Sequence, residues 1–487
     1  MTIRESLEEL RLGERYQFRV TVGHDGQRFA GDLTLSPQGC FLDVRGELSE
    51  DRRIDTDWVG VKEMCCDAHT GTFLLDGLTV EQTLVSHLQR HPRPISYFEV
   101  RYRVAYAIFG RSLDAIPPTF SSLQIHSASI AQWVGYTYVQ DSVVEQYHNG
   151  NLFPYQDHSH VEFAEDIAAL GRLAVGYRPS TRYAVDEFAM SLQFPPTLHL
   201  SFEAPRPAAA VIHATRELET LVAFLLGHSI DIDRIQLDPT YRYGARLSLY
   251  FARAQTGERD GTYPFFPLGL NLRHDTLGLP PLPTTLFSHY FALGPGAKAH
   301  FQRYLKYRTL ENPEERFLGF FRLLEKLCHE QEAFLPEATL AELIERAQPF
   351  LTRHFDDKKS VQRFLRQIPR WNLAKLNAAS FIGRFLMTIP YGLRRRWIYD
   401  ASHLEAICKL RNDLTHANET QPTSDDVEQQ AKFIEVLLVL RLLMEIGVPL
   451  ETAALVIPRL TGHGLIEPPP QFHGIPAEHG NGPTHTV

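Results

Sequence analysis

A proline-rich segment, LGLPPLPTTL at residues 277–286, separates two parts of this chain that have different hydrophobic patterns. Neither a helix nor a central strand runs easily through it, because proline fixes φ and lacks the backbone N–H. Before the segment, apolar residues alternate with polar ones, as in half-buried strands, and after it they recur at helical spacing. The pattern predicts an α+β multidomain protein with a β-rich N-terminal region followed by an all-α bundle.

The first part contains several short strand patterns separated by turn signals. YQFRVTV (16–22) and DLTLS (32–36) alternate, with HDGQ as a turn between them, and SPQG precedes CFLDV (40–44). Further strand-like runs are 95–110 and 242–254. The run 208–227 is rich in alanine and leucine and ends in glycine, which predicts a helix within the β-rich region.

The second part contains three strong helix signals. Asn312 is a capping side chain followed by proline and two acids, and this start opens a helix whose core positions are Phe317, Phe320, Phe321, Leu324 and Leu327. A second helix is predicted at about 396–417, with Ile398, Leu404, Ile407, Leu410 and Leu414 as its apolar positions. A third begins at Ser424 and is apolar nearly all round at its centre, which predicts that it is buried.

These signals predict four segments: a β-rich sensor or binding region at 1–280, a proline-rich joint at 281–295, a helical domain at 296–465 and a disordered tail at 466–487. The length of 487 residues exceeds one ordinary core. No apolar run reaches the ~18 residues that a membrane span needs. The N-terminus lacks the apolar core of a signal peptide, and the five scattered cysteines are typical of a reducing compartment, so a cytoplasmic protein without membrane contact is predicted.

The net charge of -9 disfavours a general nucleic-acid coat, but the charge is uneven. Residues 351–400 carry 11 basic and 3 acidic side chains. Such a stretch suits binding to a phosphate backbone, and a solvated helix face is the alternative.

Arginine followed by histidine after four to six residues occurs five times, about as often as the composition predicts by chance. The pairs are Arg19/His24, Arg206/His213, Arg322/His329, Arg396/His403 and Arg411/His416. Only the last has two small polar residues after the arginine, a predicted helix end and a buried helix across a short loop. Residues five apart lie 140° apart around a helix, so Arg411 and His416 converge only at a frayed helix end or with a second copy of the chain.

Arg411-Asn412-Asp413-Leu414-Thr415-His416 resembles the signature of the HEPN superfamily of ribonucleases, and the chain as a whole resembles the ApeA-type antiphage HEPN proteins. The likeness includes the β-rich first part and the bundle opening RFLGFFRLLEKL (316–327). It implies an antiphage endoribonuclease that uses no metal or other cofactor and leaves 2′,3′-cyclic phosphate ends. It also implies an HEPN-like bundle, an RNA partner (a tRNA or another host or phage RNA), a homodimer or higher oligomer, and a phage-derived trigger acting through the N-terminal region.

The chemistry of these side chains fits that activity. A histidine that titrates near neutrality can act as general acid or base, and a guanidinium can hold two phosphate oxygens. We expect His416 to move the proton, Arg411 to stabilise the phosphorane and Asn412 to orient the histidine or the phosphate. Asp413, Arg394, Arg395 and Arg396 are candidate substrate contacts.

The alternative is a non-catalytic HEPN-type module that dimerises or binds RNA beside a β-rich ligand-binding domain. In that case the Arg-Asn-Asp cluster caps a helix end and bridges to its neighbour. Glu325 has two readings, an ordinary acid of a helix face or a partner of the site. His158 and His160 in DHSHVE share a strand face but lack an evident third metal ligand, and the adjacent Cys65 and Cys66 are predicted to be idle.

Overall fold

The computed structural model describes residues 9–24, 26–48, 58–88, 95–111, 119–150, 160–184, 189–240, 247–253, 264–269, 278–329, 332–333, 335–355, 357–374, 377–416 and 423–468. The chain forms two compact units. Unit 1 contains Met1–Leu305 and Leu442–Thr461, and unit 2 contains Lys306–Arg441 and Gly462–Val487. The predicted helical domain, 296–465, is thus distributed over both units, and its limits stay a prediction. The predicted tail lies outside the described residues from 469 onward.

Unit 1 is built on a large sheet whose described neighbouring strands are all antiparallel. Its sixteen described strands are β1 (Tyr16–His24), β2 (Gln27–Ser36), β3 (Gly39–Leu48), β4 (Glu63–Ala68), β5 (Gly71–Asp76), β6 (Thr79–Leu88), β7 (Ile95–Val104), β8 (Tyr106–Arg111), β9 (Thr119–Ser127), β10 (Val161–Ile167), β11 (Gly171–Tyr177), β12 (Ser180–Ala184), β13 (Ala189–Gln193), β14 (Pro196–Pro207), β15 (Ile232–Pro239) and β16 (Leu247–Tyr250). Fourteen of them form one sheet in the order β10-β11-β14-β9-β15-β16-β8-β5-β4-β1-β2-β3-β7-β6, and β12 and β13 form a separate hairpin.

The first hairpin lies where the sequence predicts two strands and a turn. β1 pairs with β2 from Tyr16 opposite Leu35 to His24 opposite Gln27. Gly26 in the connecting turn has a φ of 73°, which glycine adopts without a steric penalty. Val20 and Val22 are buried on one face, so the alternation in this segment correctly identified its inner side.

The strand-like run 95–110 forms two strands. β7 pairs with β3 and β6, whereas β8 pairs with β5 and β16, and Ala105 separates them. The reason is tertiary: the two halves have different partners, which a local pattern cannot reveal. In the run 242–254, the described strand is Leu247–Tyr250.

The helices of unit 1 are α1 (Ala128–Val134), α2 (Tyr138–His148), α3 (Ala208–Leu226), α4 (Thr285–Ala292) and α14 (Leu450–Val456). The predicted helix at 208–227 is confirmed as α3, and Gly227 ends it in the left-handed conformation at φ 73°. α5 (Pro295–Arg308) lies mostly in unit 1, where Phe301 and Tyr304 pack on Phe224 of α3 with ring centroids 5.1 and 5.7 Å apart.

The described residues of unit 2 are helical apart from a pair of two-residue strands, β17 (Glu332–Ala333) and β18 (Leu373–Ala374). Its helices are α6 (Pro313–Cys328), α7 (Glu337–Phe355), α8 (Lys358–Leu365), α9 (Ile368–Trp371), α10 (Ala378–Thr388), α11 (Tyr391–Arg394), α12 (Leu404–His416) and α13 (Ser424–Glu445), the last of which extends into the unit 1 range. The predicted fold class, a β-rich region followed by a helical region, is confirmed.

The helix signals in unit 2 are largely confirmed. The Asn312 side chain accepts a hydrogen bond from the Glu314 N–H at 2.8 Å, and all five predicted core positions of α6 are buried. α13 is buried almost throughout its centre. The helix predicted at about 396–417 instead begins at Leu404, after a 3₁₀ turn at Ala401–His403. In the described part of the chain, no helix is both long enough and apolar enough to span a bilayer.

Candidate functional site

Helix α12 carries the whole Arg-Asn-Asp-Leu-Thr-His hexapeptide, and a 3₁₀ turn that Asp400 caps directly precedes it. The Asp400 carboxylate accepts hydrogen bonds from the Ser402 N–H at 2.9 Å and from Nδ1 of His403 at 2.8 Å. The Ser402 hydroxyl, which donates to the same carboxylate at 2.5 Å, and these two donors lower the pKa of Asp400 to about 2. The Arg396/His403 pair therefore ends in a histidine that caps a helix.

The Arg411 guanidinium is held by side chains from two helices of unit 2. Nη2 lies 3.0 Å from Oε2 of Glu325 on α6, and Nη1 donates to Oδ1 of Asn412 at 2.9 Å. The guanidinium carbon lies 5.6 Å from the centroid of the Phe321 ring, a cation–π distance. Nε is buried and has no hydrogen-bond partner among the described residues. Arg411 is thus oriented by Phe321, Glu325 and Asn412.

These side chains border a cleft of about 400 Å³ in unit 2. Its described lining comes from α6, α12 and the start of α10 and consists of Phe321, Glu325, Asn377, Ala378, Ala379, Glu405, Cys408, Lys409, Arg411 and Asn412. Arg411 and Lys409 supply positive charge, Asn377 and Asn412 supply amides, and Glu325 and Glu405 supply carboxylates. The cleft can therefore bind an anion by charge-assisted hydrogen bonds once the Glu325 carboxylate is displaced from Arg411.

Cys408 lies in the same lining, one helical turn before Asn412. Burial, with the nearby Glu325 carboxylate adding to it, raises the pKa of the Cys408 thiol to about 11. The thiol is therefore protonated at neutral pH and is a poor nucleophile, because the thiolate is the reactive form.

His416 is the last residue of α12 and is exposed. The helix stays regular to this residue, and the Thr415 hydroxyl donates to the Arg411 carbonyl at 2.7 Å. Within one chain, His416 therefore points about 140° away from Arg411 around the helix, and the described cleft lining does not include it. The end of α12 is not frayed up to His416, so this helix does not bring the two side chains together within one chain.

The other predicted substrate contacts lie outside the described cleft lining. Asp413 is half-buried on α12. Arg394 at the end of α11 lies over the Tyr391 ring, 5.2 Å from its centroid. Arg395 and Arg396 are exposed. The assignment of these four residues to RNA stays a prediction.

Neither alternative site of the first part gathers a metal-ligand set in the described residues. Asp157 and His158 lie outside those residues, and His160 is buried. The Glu162 carboxylate accepts hydrogen bonds from the hydroxyls of Thr137 at 2.6 Å and Tyr177 at 2.5 Å, so it joins α2 to the sheet. The paired thiols are free: Cys65 is exposed and Cys66 is buried.

Sequence reasoning placed Arg411 and Asn412 together, but it favoured an ordinary surface role for Glu325. The structure places this acid in the site, and 86 residues separate it from Arg411 in the chain. One indication that Glu325 belongs to the site was present in the sequence. Glu325 lies on the same helix as Phe317, Phe320 and Phe321, which pack in the core. Phe321 and Glu325 are four residues apart and therefore share a face of α6.

Comparison with known families identifies the first part of the chain. The model of the ApeA N-terminal domain 1 matches residues 15–273, just over half of the chain, and this range contains the whole large sheet. No curated protein matches the chain, and no solved structure matches it. The extent of the family match is decisive: the chain belongs to the ApeA family and is an ApeA-type antiphage protein with a β-rich N-terminal domain.

Proposed function

We propose that this protein defends its cell against phage as a metal-independent HEPN-type endoribonuclease, restrained or triggered through its β-rich N-terminal region. The products are RNA fragments with 2′,3′-cyclic phosphate ends. The single observation that carries the proposal is the oriented Arg411 guanidinium at the edge of the cleft in unit 2, inside an RNDLTH motif.

Arg411 supplies the charge that phosphodiester cleavage needs. When the 2′-hydroxyl attacks the phosphate, two negative charges develop on the phosphorane oxygens, and preorganised positive charge stabilises them. A guanidinium meets two such oxygens through its planar fork. Phe321 and Asn412 hold that fork in place, and the phosphate displaces the Glu325 carboxylate from it.

Two copies of His416 transfer the protons of the reaction. One His416 removes the proton of the 2′-hydroxyl, and a second protonates the departing 5′-oxygen. A two-fold dimer supplies both histidines from equivalent positions, because a residue at an isologous interface is presented by each copy. The exposed position of His416 at the end of α12 suits delivery to a partner's cleft.

A second candidate function is a non-catalytic HEPN-type module that binds RNA or a second copy. The observation that favours it is the position of His416 outside the described cleft lining, together with the pairing of Arg411 with Glu325. In that case the arginine joins α6 to α12, and defence depends on the N-terminal domain. Substituting His416 then leaves protection against phage unchanged.

The proposal is tested with an RNA strand and the all-deoxy strand of the same sequence, incubated with full-length protein prepared from infected and uninfected cells. The mechanism requires a 2′-hydroxyl, so only the RNA is cut. The Arg411→Ala protein leaves the RNA intact. Equal cutting of the deoxy strand would rule out this mechanism, and undiminished cutting by Arg411→Ala would remove Arg411 from the site.

A further inference from the structure

Unit 2 carries a second cluster of side chains, separate from the cleft, that is both strongly basic and aromatic. Residues 358–374, which include α8 and α9, contain five basic side chains and no acidic one. Arg363, Phe364, Arg366, Arg370 and Trp371 are all exposed, and we call these five the aromatic–arginine surface.

Two large rings stand in solvent on this surface. Phe364 is 50% exposed and Trp371 is 58% exposed, yet their centroids are only 5.6 Å apart at an interplanar angle of 66°. The remaining apolar side chains of α8, Val361 and Leu365, are buried. Exposed aromatic pairs are costly to leave in water, and they are typical of binding surfaces.

The surrounding charge selects the kind of partner. Exposed arginines that neighbour exposed rings in the sequence match a phosphate backbone that carries unpaired bases, because bases stack on the rings while the guanidinium groups contact phosphates. A second copy of the chain would place like charges against one another at this surface. A membrane would need an apolar helix face, and α8 has already buried its own.

The chain connects this surface to the cleft of unit 2 over a short distance. Asn372 follows Trp371 and is fixed by two hydrogen bonds to the backbone of Leu335, at 2.9 and 2.8 Å. Asn377, only six residues after Trp371, lines the cleft. Six residues span at most about 20 Å, so one short single strand can contact both places.

We propose that the aromatic–arginine surface binds single-stranded RNA and leads it to the cleft that contains Arg411. The inference rests on the proposed ribonuclease function for the identity of the ligand. It adds the form of the substrate, an unpaired strand, and a binding site that neither the family match nor the RNDLTH motif includes. A duplex binds less well, because its bases are stacked on one another and cannot stack on Phe364 and Trp371.

The test measures binding without cleavage. Full-length His416→Ala protein is titrated against a fluorescein-labelled single-stranded oligoribonucleotide in EDTA, and against the same strand annealed to its complement. Adding Phe364→Ala and Trp371→Ala together raises the Kd for the single strand by roughly tenfold per stacked base lost. Adding Arg363→Gln, Arg366→Gln and Arg370→Gln together makes the binding constant less dependent on salt. The negative slope of log K for association against log salt becomes less steep by about 0.7 for each phosphate contact removed.

Matched controls come from the acidic half of α7. Leu343 is also an exposed apolar side chain, and Arg346 is an exposed arginine that pairs with Glu342 at 2.6 Å. Leu343→Ala and Arg346→Gln leave the Kd and the salt slope unchanged. An unchanged Kd in the aromatic variant overturns the inference. A change in sedimentation without a change in RNA affinity overturns it as well and assigns the surface to a second copy.

The experiments distinguish failure of the proposed RNA-binding surface from failure of the proposed ribonuclease function. If the protein binds single strands through these rings but never cuts them, the inference stands and the ribonuclease proposal fails. If the wild-type protein cuts RNA, and the aromatic variant built on the wild-type sequence binds and cuts it equally well, the ribonuclease proposal stands and this surface is not part of it.

Discussion

Arg411 of α12 and Glu325 of α6 form an ion pair with 3.0 Å between Nη2 and Oε2, and each side chain keeps about a third of its surface exposed. A pair this exposed contributes at most about 1 kcal/mol to stability. Its larger effect is on the cleft, because the carboxylate occupies part of the guanidinium that a phosphate would use. The Arg411 guanidinium in this cleft is therefore oriented, but it is already paired with the Glu325 carboxylate.

Removing the carboxylate should strengthen anion binding. We expect Glu325→Gln to tighten RNA binding up to about fivefold at low salt, the equivalent of the ~1 kcal/mol that such a pair is worth. The control is Glu405→Gln, which removes an equal charge from the same cleft without a hydrogen bond to Arg411. Filter binding measures both. If the two variants gain equally, only the net charge of the cleft matters and the pair has no special role.

Replacing the planar Arg411 guanidinium by a lysine ammonium of the same charge should strongly reduce cleavage. Arg411→Lys places an ammonium where the guanidinium donates to Glu325 and Asn412, and a point charge cannot make the paired contacts. We expect RNA cleavage to fall by about 100-fold or more. The melting temperature stays nearly unchanged, because an ion pair that is about a third exposed adds little to stability. Cleavage rates and thermal melts of the same preparations measure both effects. A lysine variant with nearly full activity would contradict the assigned role.

His463 should make the protein less stable in weak acid. It is buried in unit 2 beside Trp397, and burial, with Lys432 and Arg396 nearby, lowers its pKa to about 4, whereas Glu467 lies 3.8 Å away and favours the charged form. The unfolded chain titrates near 6.5. Between these values the unfolded state binds the extra proton, so stability falls as the pH drops from about 6.5 to 4, by about 3 kcal/mol at most.

The check is the slope of stability against pH, not its absolute value. His463→Gln should flatten the change in melting temperature between pH 6.5 and pH 4, whereas His213→Gln, at an exposed position of α3, should not. Equal slopes in the wild-type protein and His463→Gln would show that His463 is not the group responsible.

Cutting the chain at the proline-rich joint should not release a folded helical domain. Phe301 and Tyr304 pack on Phe224 of α3, and the ranges 281–305 and 442–461 belong to unit 1. A fragment of residues 281–487 therefore exposes apolar rings, and we expect it to aggregate on size-exclusion chromatography while the full chain elutes as a discrete species. A monodisperse fragment with a cooperative melt would instead support the boundary predicted from the sequence.

Local signals predicted the parts of this fold that depend on local physics. Asn312 and its proline mark the start of α6, and Gly227 marks the end of α3, because caps depend on the residues next to them. The break at Ala105 and the late start of α12 escaped prediction. The first depends on which strands pair across the sheet, and the second on the 3₁₀ turn that Asp400 caps before Leu404.

The candidate site was predictable only along its own helix. Arg411 and Asn412 are adjacent, so one motif found both, whereas the pairing of Arg411 with Glu325 depends on how α6 packs against α12. The opposite direction of His416 follows from helix geometry alone, since five residues turn through 140°. For the aromatic–arginine surface, the sequence predicted only the positive charge. The exposure of Phe364 and Trp371 is a property of the fold and could not be read from the sequence.

The most direct test of this account is RNA cleavage in EDTA by the wild-type protein and by His416→Ala, with end-group analysis of the products and His213→Ala as the matched control. His213 follows an arginine at a similar spacing but lies on α3 of unit 1 and pairs with Glu217 at 3.3 Å. The account predicts 2′,3′-cyclic phosphate ends from the wild-type protein and His213→Ala, and no cleavage by His416→Ala. Equal cleavage by all three proteins would contradict it and leave the RNDLTH helix a structural element.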